Sequence, residues 1–357
     1  MSERSRHCPK KAVYNPIMKI LIIGGTRNLG TFMVPEFIQR GYSVSILNRG
    51  LTRDDLPKAI ERLHADRTDP DELRAALKNR SFDVVIDNAL YKQPEAETII
   101  NILDGKVGQY IFLSSGQVYL VREGLERPFF ERDYGGRLMP APKVNTFGYE
   151  EWLYGVDKRR VEDTLFEANA RSSFPSTSLR LPMVNSERDH YNRTYAYFLR
   201  LQDGGPILVP STPNFRLRHI YGQDVVAACL RVIDTGLGKG GAYNISQEET
   251  VSLDEYLELL ARLMGLETPP MLVRLRRDLL EANGFLPDCS PFSERWMSEL
   301  DNTLSKSELG MTYTPLAEYL GKIVRYYQET PPPQPAGYRR RRAELLLVEQ
   351  EGASAVS

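Results

Sequence analysis

From Lys19 onward, short apolar runs alternate with stretches in which apolar residues recur every three or four positions. "KILIIGG" (19–25) reads as a buried strand, "GTFMVPEFIQRG" (30–41) as a helix and "YSVSILNRG" (42–50) as a second strand. A third unit, "DPDELRAALKNRSFDVVIDNA" (69–89), places a capping aspartate before a helix and ends a buried strand at Asp87 and Asn88. "QYIFLSSGQVY" (109–119), the helical "YGVDKRRVEDTLFEA" (154–168) and "STSLRLPMV" (176–184) continue the series. Strands that alternate with helices in this way predict parallel βαβ units, hence an α/β doubly wound parallel sheet.

Regular alternation lapses between Asn185 and Phe215, and "TVSLDEYLELLARLMG" (250–265) carries a serine cap and a glycine stop. The expected organisation is therefore a nucleotide-binding domain over 18–180, with a later contribution from about 216–250, and a smaller C-terminal substrate lobe from 181–215 and 251–328. Residues 1–17 show no periodicity and read as a disordered extension, with Met18 as the natural start. "ETPPPQPAGY" followed by "RRRRAELLLVEQ" makes 329–357 a proline-rich linker and a basic tail with a short amphipathic helix as one form; its arginines could touch phosphate or lipid, and a solvated tail is the plainer reading.

The 357 residues carry 46 basic and 47 acidic side chains, a formal net charge of −1, so no global field draws in nucleic acid or membrane. No apolar run approaches the roughly 20 residues that span a bilayer. Three widely separated cysteines, Cys8, Cys229 and Cys289, suit a reducing, cytoplasmic compartment. His190 and His219 lack partners at metal-ligand spacing, so no metal is expected.

The turn "GGTRNLG" follows a strand and opens a helix, the context in which a glycine pattern points to a dinucleotide. Gly24 allows the turn, Gly30 lets helix and strand approach, and the helix N-terminus faces a pyrophosphate. Gly25, Thr26, Asn28 and Leu29 complete the loop. Arg27 takes the middle glycine's place and must turn outward, where it can pair with phosphate; the plainer alternative is a solvent-facing arginine. At the end of the second strand Asn48 and Arg49 replace the acidic residue that grips a ribose 2′-hydroxyl, so NADP is favoured over NAD. Asp66 and Arg67 are placed for the adenine side, with Asn88 and Ala89 on the ribose path; capping and strand-end roles are the alternatives.

Ser115 ends a central strand, and Tyr154 and Lys158 stand four apart on one helix face. An ammonium near the phenol is expected to lower its pKa, making Tyr154 an acid or base near neutrality, with Ser115 on the same substrate oxygen. In this setting "GGTRNLG", "FDVVIDNA", "FLSSGQVY", "YGVDK", "LRLPMV", "RLRHIYGQDVV" and "YNIS" together resemble the short-chain dehydrogenase/reductase superfamily, within it the extended NAD-dependent epimerase/dehydratase branch.

The resemblance implies a Rossmann fold and a nicotinamide cofactor. It makes Ser115, Tyr154 and Lys158 the catalytic triad, gives Lys158 a grip on the nicotinamide ribose and sets Pro182 at the cofactor. Gln117, Arg216 and Arg218 are expected at the substrate, a small molecule such as a nucleotide sugar, with Arg218 on its diphosphate. An ordinary surface strand explains the two arginines equally well. The acidic pair expected of dehydratases is replaced by Gly116 and Gln117, which leaves epimerisation or carbonyl reduction. Relatives often pair through helices beside the tyrosine, so analogy implies a homodimer.

Arg27 in the glycine position resembles atypical members, the chloroplast stem-loop RNA-binding proteins among them. The alternative function is accordingly a catalytically degenerate nucleotide- or RNA-binding protein on the same fold.

Overall fold

The computed structural model describes residues 17–354, so the expected extension 1–17 lies, apart from Ile17, outside the described residues. Eleven strands follow in chain order: β1 Lys19–Ile23, β2 Ser43–Asn48, β3 Glu61–His64, β4 Phe82–Asp87, β5 Val107–Ser115, β6 Ser176–Leu181, β7 Val184–Asn185, β8 Ile207–Pro210, β9 Ile220–Tyr221, β10 Gly241–Asn244 and β11 Leu272–Leu275. The helices are α1 Leu29–Gln39, α2 Pro70–Leu77, α3 Gln93–Leu103, α4 Gln117–Leu120, α5 Phe147–Ser172, α6 Arg193–Gln202, α7 Gly222–Thr235, α8 Leu253–Leu263, α9 Arg277–Ala282, α10 Thr303–Leu309, α11 Leu316–Glu329 and α12 Arg341–Ser354.

Seven strands form one parallel sheet in the order β10-β6-β5-β4-β1-β2-β3. This Rossmann-like order reverses direction between β1 and β4, where the carboxyl ends of the strands open a crevice. Both faces are covered, which is why β1 reads as an unbroken apolar run. One face packs Ile20, Ile22 and Ile111 against Met33 and Phe37 of α1 and Val225 and Cys229 of α7. The other packs Leu21, Val85 and Phe112 against Ile99 of α3 and Leu165 of α5. A separate cluster built from α6, α8 and α11 forms the core of the remaining region.

The helix caps follow from local chemistry. Asp69 accepts the backbone N–H groups of Asp71 and Glu72 at the start of α2, and Ser252 and Glu255 form a reciprocal capping box at α8. Residues 121–146, an apparent insertion, pack against the end of the sheet, with Phe129 in a cluster with Tyr119 and Leu300 and its carbonyl bonded to Asn244.

The C-terminal stretch differs from the expected solvated tail. Gly337, Arg341, Glu344 and Leu347 are buried, and Arg200 of α6 meets Glu344 at 2.5 Å with both side chains out of water. Arg341 bridges Glu344 and Asp203. The arginine run supplies ion-pair partners to α6, and the pairing depends on a fold that sequence periodicity does not show. Glu344→Ala strands the Arg200 charge and is expected to cost about 3–5 kcal/mol. An unchanged urea-unfolding midpoint in that variant would show the segment to be undocked.

Candidate functional site

A cavity of about 650 Å³ opens at the carboxyl ends of β4, β5 and β6. Its wall includes Asn28, Asn88, Ser115, Gln117, Tyr154, Lys158 and Pro182, so the strand ends, the N-terminus of α1 and the helix α5 converge on one space. A groove of similar size, about 660 Å³, lies between α1 and α7 and touches none of the candidate residues.

The turn after β1 is built by backbone conformation. Gly24 and Gly25 have φ of 91° and 86°, and a Cβ on Gly30 would lie 2.1 Å from the Gly25 carbonyl oxygen, so only glycine lets α1 seat on the turn. Asn28, with φ of 42°, takes the third left-handed position, and its carboxamide is held by the Ser186 hydroxyl at 2.7 Å. Position 27 needs no left-handed backbone, and the Arg27 side chain stands exposed. The α1 N-terminus carries no side-chain cap; the Gly30 and Thr31 N–H groups close onto the Arg27 and Asn28 carbonyls, and Asn28 and Leu29 form this end of the cavity wall. Thr26 lies beside them, partly buried. These residues fit a nicotinamide dinucleotide: a glycine cradle, an uncapped helix terminus and a cavity continuous with the candidate catalytic groups.

The expected adenine and ribose contacts divide. Asn88 lines the cavity, and Ala89 stands beside Gly24. Asn48 spends its carboxamide oxygen on the Gly50 N–H, and exposed Arg49 lies 3.8 Å from Asp66. Asp66 is held below the usual carboxylate range by hydrogen bonds from Thr68. Arg67 turns inward instead. It pairs with the fully buried Asp87 at 2.7 Å and approaches Glu95 at 3.2 Å, and Tyr110 donates to the same Asp87 carboxylate. Its role in the structure is to neutralise the carboxylate that ends β4.

Helix α5 starts at Thr146, whose hydroxyl accepts the Tyr149 N–H, and brings Glu151, Tyr154 and Lys158 to one face. Gly155 allows this approach: a Cβ there would meet the Gln117 carbonyl oxygen at 2.8 Å. Tyr154 and Ser115 share the cavity wall, near enough for the hydroxyl to favour the phenolate, and the Gln117 N–H donates to the Ser115 hydroxyl oxygen at 3.1 Å.

The lysine does not lower the tyrosine. Lys158 Nζ donates to the carbonyls of Leu90 and Leu113 at 2.8 and 3.2 Å, and lies 5.8 Å from the Tyr154 ring centroid. The phenol is therefore raised above its ordinary value, chiefly by burial. Lys158 itself is 3% exposed, and burial pulls its ammonium down to about 7, with Asp87 opposing. Tyr91, tilted against Tyr154 with ring centroids 6.5 Å apart, forms part of the wall.

Arg216 and Arg218 are not brought to this cavity. Arg216 donates to the Thr250 carbonyl and Arg218 to that of Gln247, each beside the β9 approach. His219 is buried against Phe292 and Tyr256, with Asn185 on Nδ1. Among the described residues no group of side chains could hold a metal ion, and no helix is long and apolar enough to cross a membrane.

Sequence reading missed three carboxyls on the wall, Glu151, Asp288 and Glu294. Glu151 accepts from Gln117 Nε2 at 2.6 Å, and burial raises its carboxyl. A carboxyl absent at 116 and 117 thus stands beside Gln117, three residues before Tyr154. The i, i+3 spacing of Glu151 and Tyr154 could have shown this one. Glu294, in an irregular segment, carries no sequence signal.

Linkage gives Lys158 a pH signature. Its folded pKa lies below the unfolded value of about 10.4, so the unfolded chain binds more protons between pH 7 and 10 and stability rises through that window. Between pH 7 and 9 the wild type should gain about 2 kcal/mol on Lys158→Met. Urea unfolding of both proteins at the two pH values checks this, and parallel profiles would contradict the buried ammonium.

The chain is 28% identical over 288 residues to a chloroplast stem-loop binding protein of 41 kDa of Arabidopsis thaliana, covering 76% of this chain and 70% of that protein. It is 21% identical over 290 residues to 2'-dehydrokanamycin reductase of Streptomyces kanamyceticus, covering 80% and 77%. UDP-glucose 4-epimerase of Thermotoga maritima, solved with UDP-glucose, shares the fold with a TM-score of 0.67 at 20% identity over 88% of this chain and 99% of that one. The sequence profile of the NAD dependent epimerase/dehydratase family matches residues 20–102 and 97–246. With these segments spanning more than half of its length, the chain belongs to the NAD-dependent epimerase/dehydratase family.

Proposed function

We propose that the protein is an NAD(P)-dependent oxidoreductase or epimerase acting at a hydroxyl or carbonyl carbon of a small, sugar-like substrate, with Tyr154 as acid and base. The observation that carries this reading is that Tyr154, Ser115 and Lys158 share the wall of one cavity that runs to the α1 N-terminus. The family's cofactor supplies the hydride acceptor and donor when bound.

Gly24, Gly25, Asn28, Leu29 and Gly30 would hold its pyrophosphate, with Arg27 free to pair with phosphate oxygens. Asn88, Ala89, Lys158 and Pro182 would line its nicotinamide end. Arg49, with no carboxylate at the end of β2, supports NADP over NAD.

Burial keeps the Tyr154 phenol protonated at neutral pH, which suits it to donate a proton to a carbonyl oxygen. Ser115 offers the same oxygen a second hydrogen bond. Lys158, half protonated near pH 7, lies at the other end of the phenol's helix face and can return the proton once it moves off the carbonyls of Leu90 and Leu113.

The reductase relative supports one-way reduction, and the epimerase structure supports a closed cycle in which the keto intermediate turns over. A second reading, an RNA-binding protein on this fold, is favoured by the Arabidopsis relative. Against it stand a net charge of −1 and the three candidate catalytic groups meeting in one cavity.

Tyr154→Phe should lower kcat/KM roughly 10²–10⁴-fold while NADPH affinity stays within about twofold. Stopped-flow and NADPH fluorescence titration measure the two, and wild-type turnover in the variant would remove Tyr154 from the mechanism. Nicotinamide absorbance that survives dialysis marks the closed cycle. Exchangeable NADPH consumed on adding a carbonyl compound marks reduction. RNA in the preparation with neither behaviour marks the second reading.

A further inference from the structure

The charged residues on the cavity wall are Glu151, Lys158, Arg193, Asp288 and Glu294, with His190 beside them. Both cations are already satisfied. Lys158 is bonded to two carbonyls, and Arg193 holds both Asp189 oxygens at 2.9 and 3.0 Å, the Val184 carbonyl and the Met183 sulfur. His190 is held below its ordinary value by burial, so it adds no charge at neutral pH. Arg216 and Arg218, the arginines placed by sequence at a substrate diphosphate, lie outside the wall.

The carboxyls are different. Glu294 is buried, with 9% of its side chain exposed; Oε2 faces Arg277 at 3.5 Å, and Oε1 has no hydrogen-bond partner. Glu151 accepts one hydrogen bond from Gln117 and lies close enough for its charge to act on Glu294. Asp288 stands exposed at the edge of the same wall. A buried carboxylate oxygen without a donor is costly, and a ligand that supplies the donor recovers that cost. The far end of the cavity is closed by Pro335, Gly337 and Tyr338, anchored through Tyr338 to Asp203.

Resting on the oxidoreductase or epimerase reading above, we propose that the substrate is a hydroxylated ring bearing an amino group, received between Glu151 and Glu294, and not a nucleotide diphosphate sugar. An ammonium offers donors to the unpartnered Oε1 of Glu294 and to the oxygen of Glu151 that Gln117 does not hold. A diphosphate would set two further negative charges among three carboxyls, with no uncommitted cation on the wall to offset them.

The test is ligand-observed NMR titration of the full chain saturated with NADPH, using glucosamine, glucose and UDP-glucose as probes. Glucosamine is expected to bind at least tenfold more tightly than glucose, and UDP-glucose more weakly than glucosamine. Glu294→Gln and Glu151→Gln, checked for folding by circular dichroism, should each abolish the preference for glucosamine while glucose binding stays unchanged.

UDP-glucose binding more tightly than glucosamine overturns the proposal. So does an equal affinity for glucosamine and glucose, no binding of either, or a preference that survives both substitutions. Failure of NADPH itself to bind, read from its fluorescence before any sugar is added, counts instead against the oxidoreductase reading.

Discussion

The site rests on a buried amine. Lys158 reaches under the rings of Tyr91 and Phe112 to bond the carbonyls of Leu90 and Leu113, the first just past β4 and the second within β5. Those bonds tie the middle of α5 to the carboxyl ends of two adjacent strands. Because side chains three and four apart share a helix face, fixing Lys158 also fixes Tyr154 and sets the direction of Glu151. Gly155 completes the constraint by letting α4 and its Gln117 come within contact of α5. The catalytic geometry is thus a consequence of one helix being held to a sheet at one depth.

Charge is handled in the rest of the fold by pairing. Arg180 on β6 meets Glu162 of α5 at 2.6 Å with both side chains buried, and Ser114 donates to the same carboxylate at 2.5 Å. Arg67 neutralises Asp87 at the end of β4, and Arg200 and Arg341 share Glu344 in the C-terminal segment. Such pairs contribute little net stability, since desolvation offsets their attraction, but each is costly to break and so fixes which elements may meet. The cavity departs from this rule: there the carboxyls outnumber the cations free to answer them.

Much of the fold was legible because its signals are local. The apolar run of β1, the Asp69 cap and the Ser252 cap each act within a few residues, and the glycine turn is read in seven. Ser115, Tyr154 and Lys158 share one cavity wall, as a helix face and a strand end, both short-range patterns, suggested. Arg67 was misplaced because its true partner, Asp87, is a neighbour only once β4 lies in the sheet. The C-terminal arginines looked solvated because α6 with its Arg200, and Asp203 at the end of that helix, are more than a hundred residues away. Glu294 was invisible for the same reason: nothing in its irregular segment shows that it will line a wall opposite α5. The lowering of Tyr154 by Lys158 was expected from spacing alone, and spacing cannot say that two carbonyls will compete for the ammonium.

The buried lysine also bears on the choice between catalysis and mere binding. A fold shared with both enzymes and a stem-loop binding relative decides nothing by itself. Holding Lys158 at a pKa near 7 instead of about 10.4, however, costs on the order of 5 kcal/mol below neutrality, a sizeable part of a domain's whole stability. A methionine or leucine at that position would fill the same space without that cost. A protein that only clamped RNA along its surface would gain nothing from an amine sealed beneath two aromatic rings. Proton transfer at neutral pH, in contrast, uses a group poised at half protonation beside a phenol. A buried amine bonded to two carbonyls and set on the same wall as a phenol and a hydroxyl is thus what an acid–base site uses and a surface clamp does not.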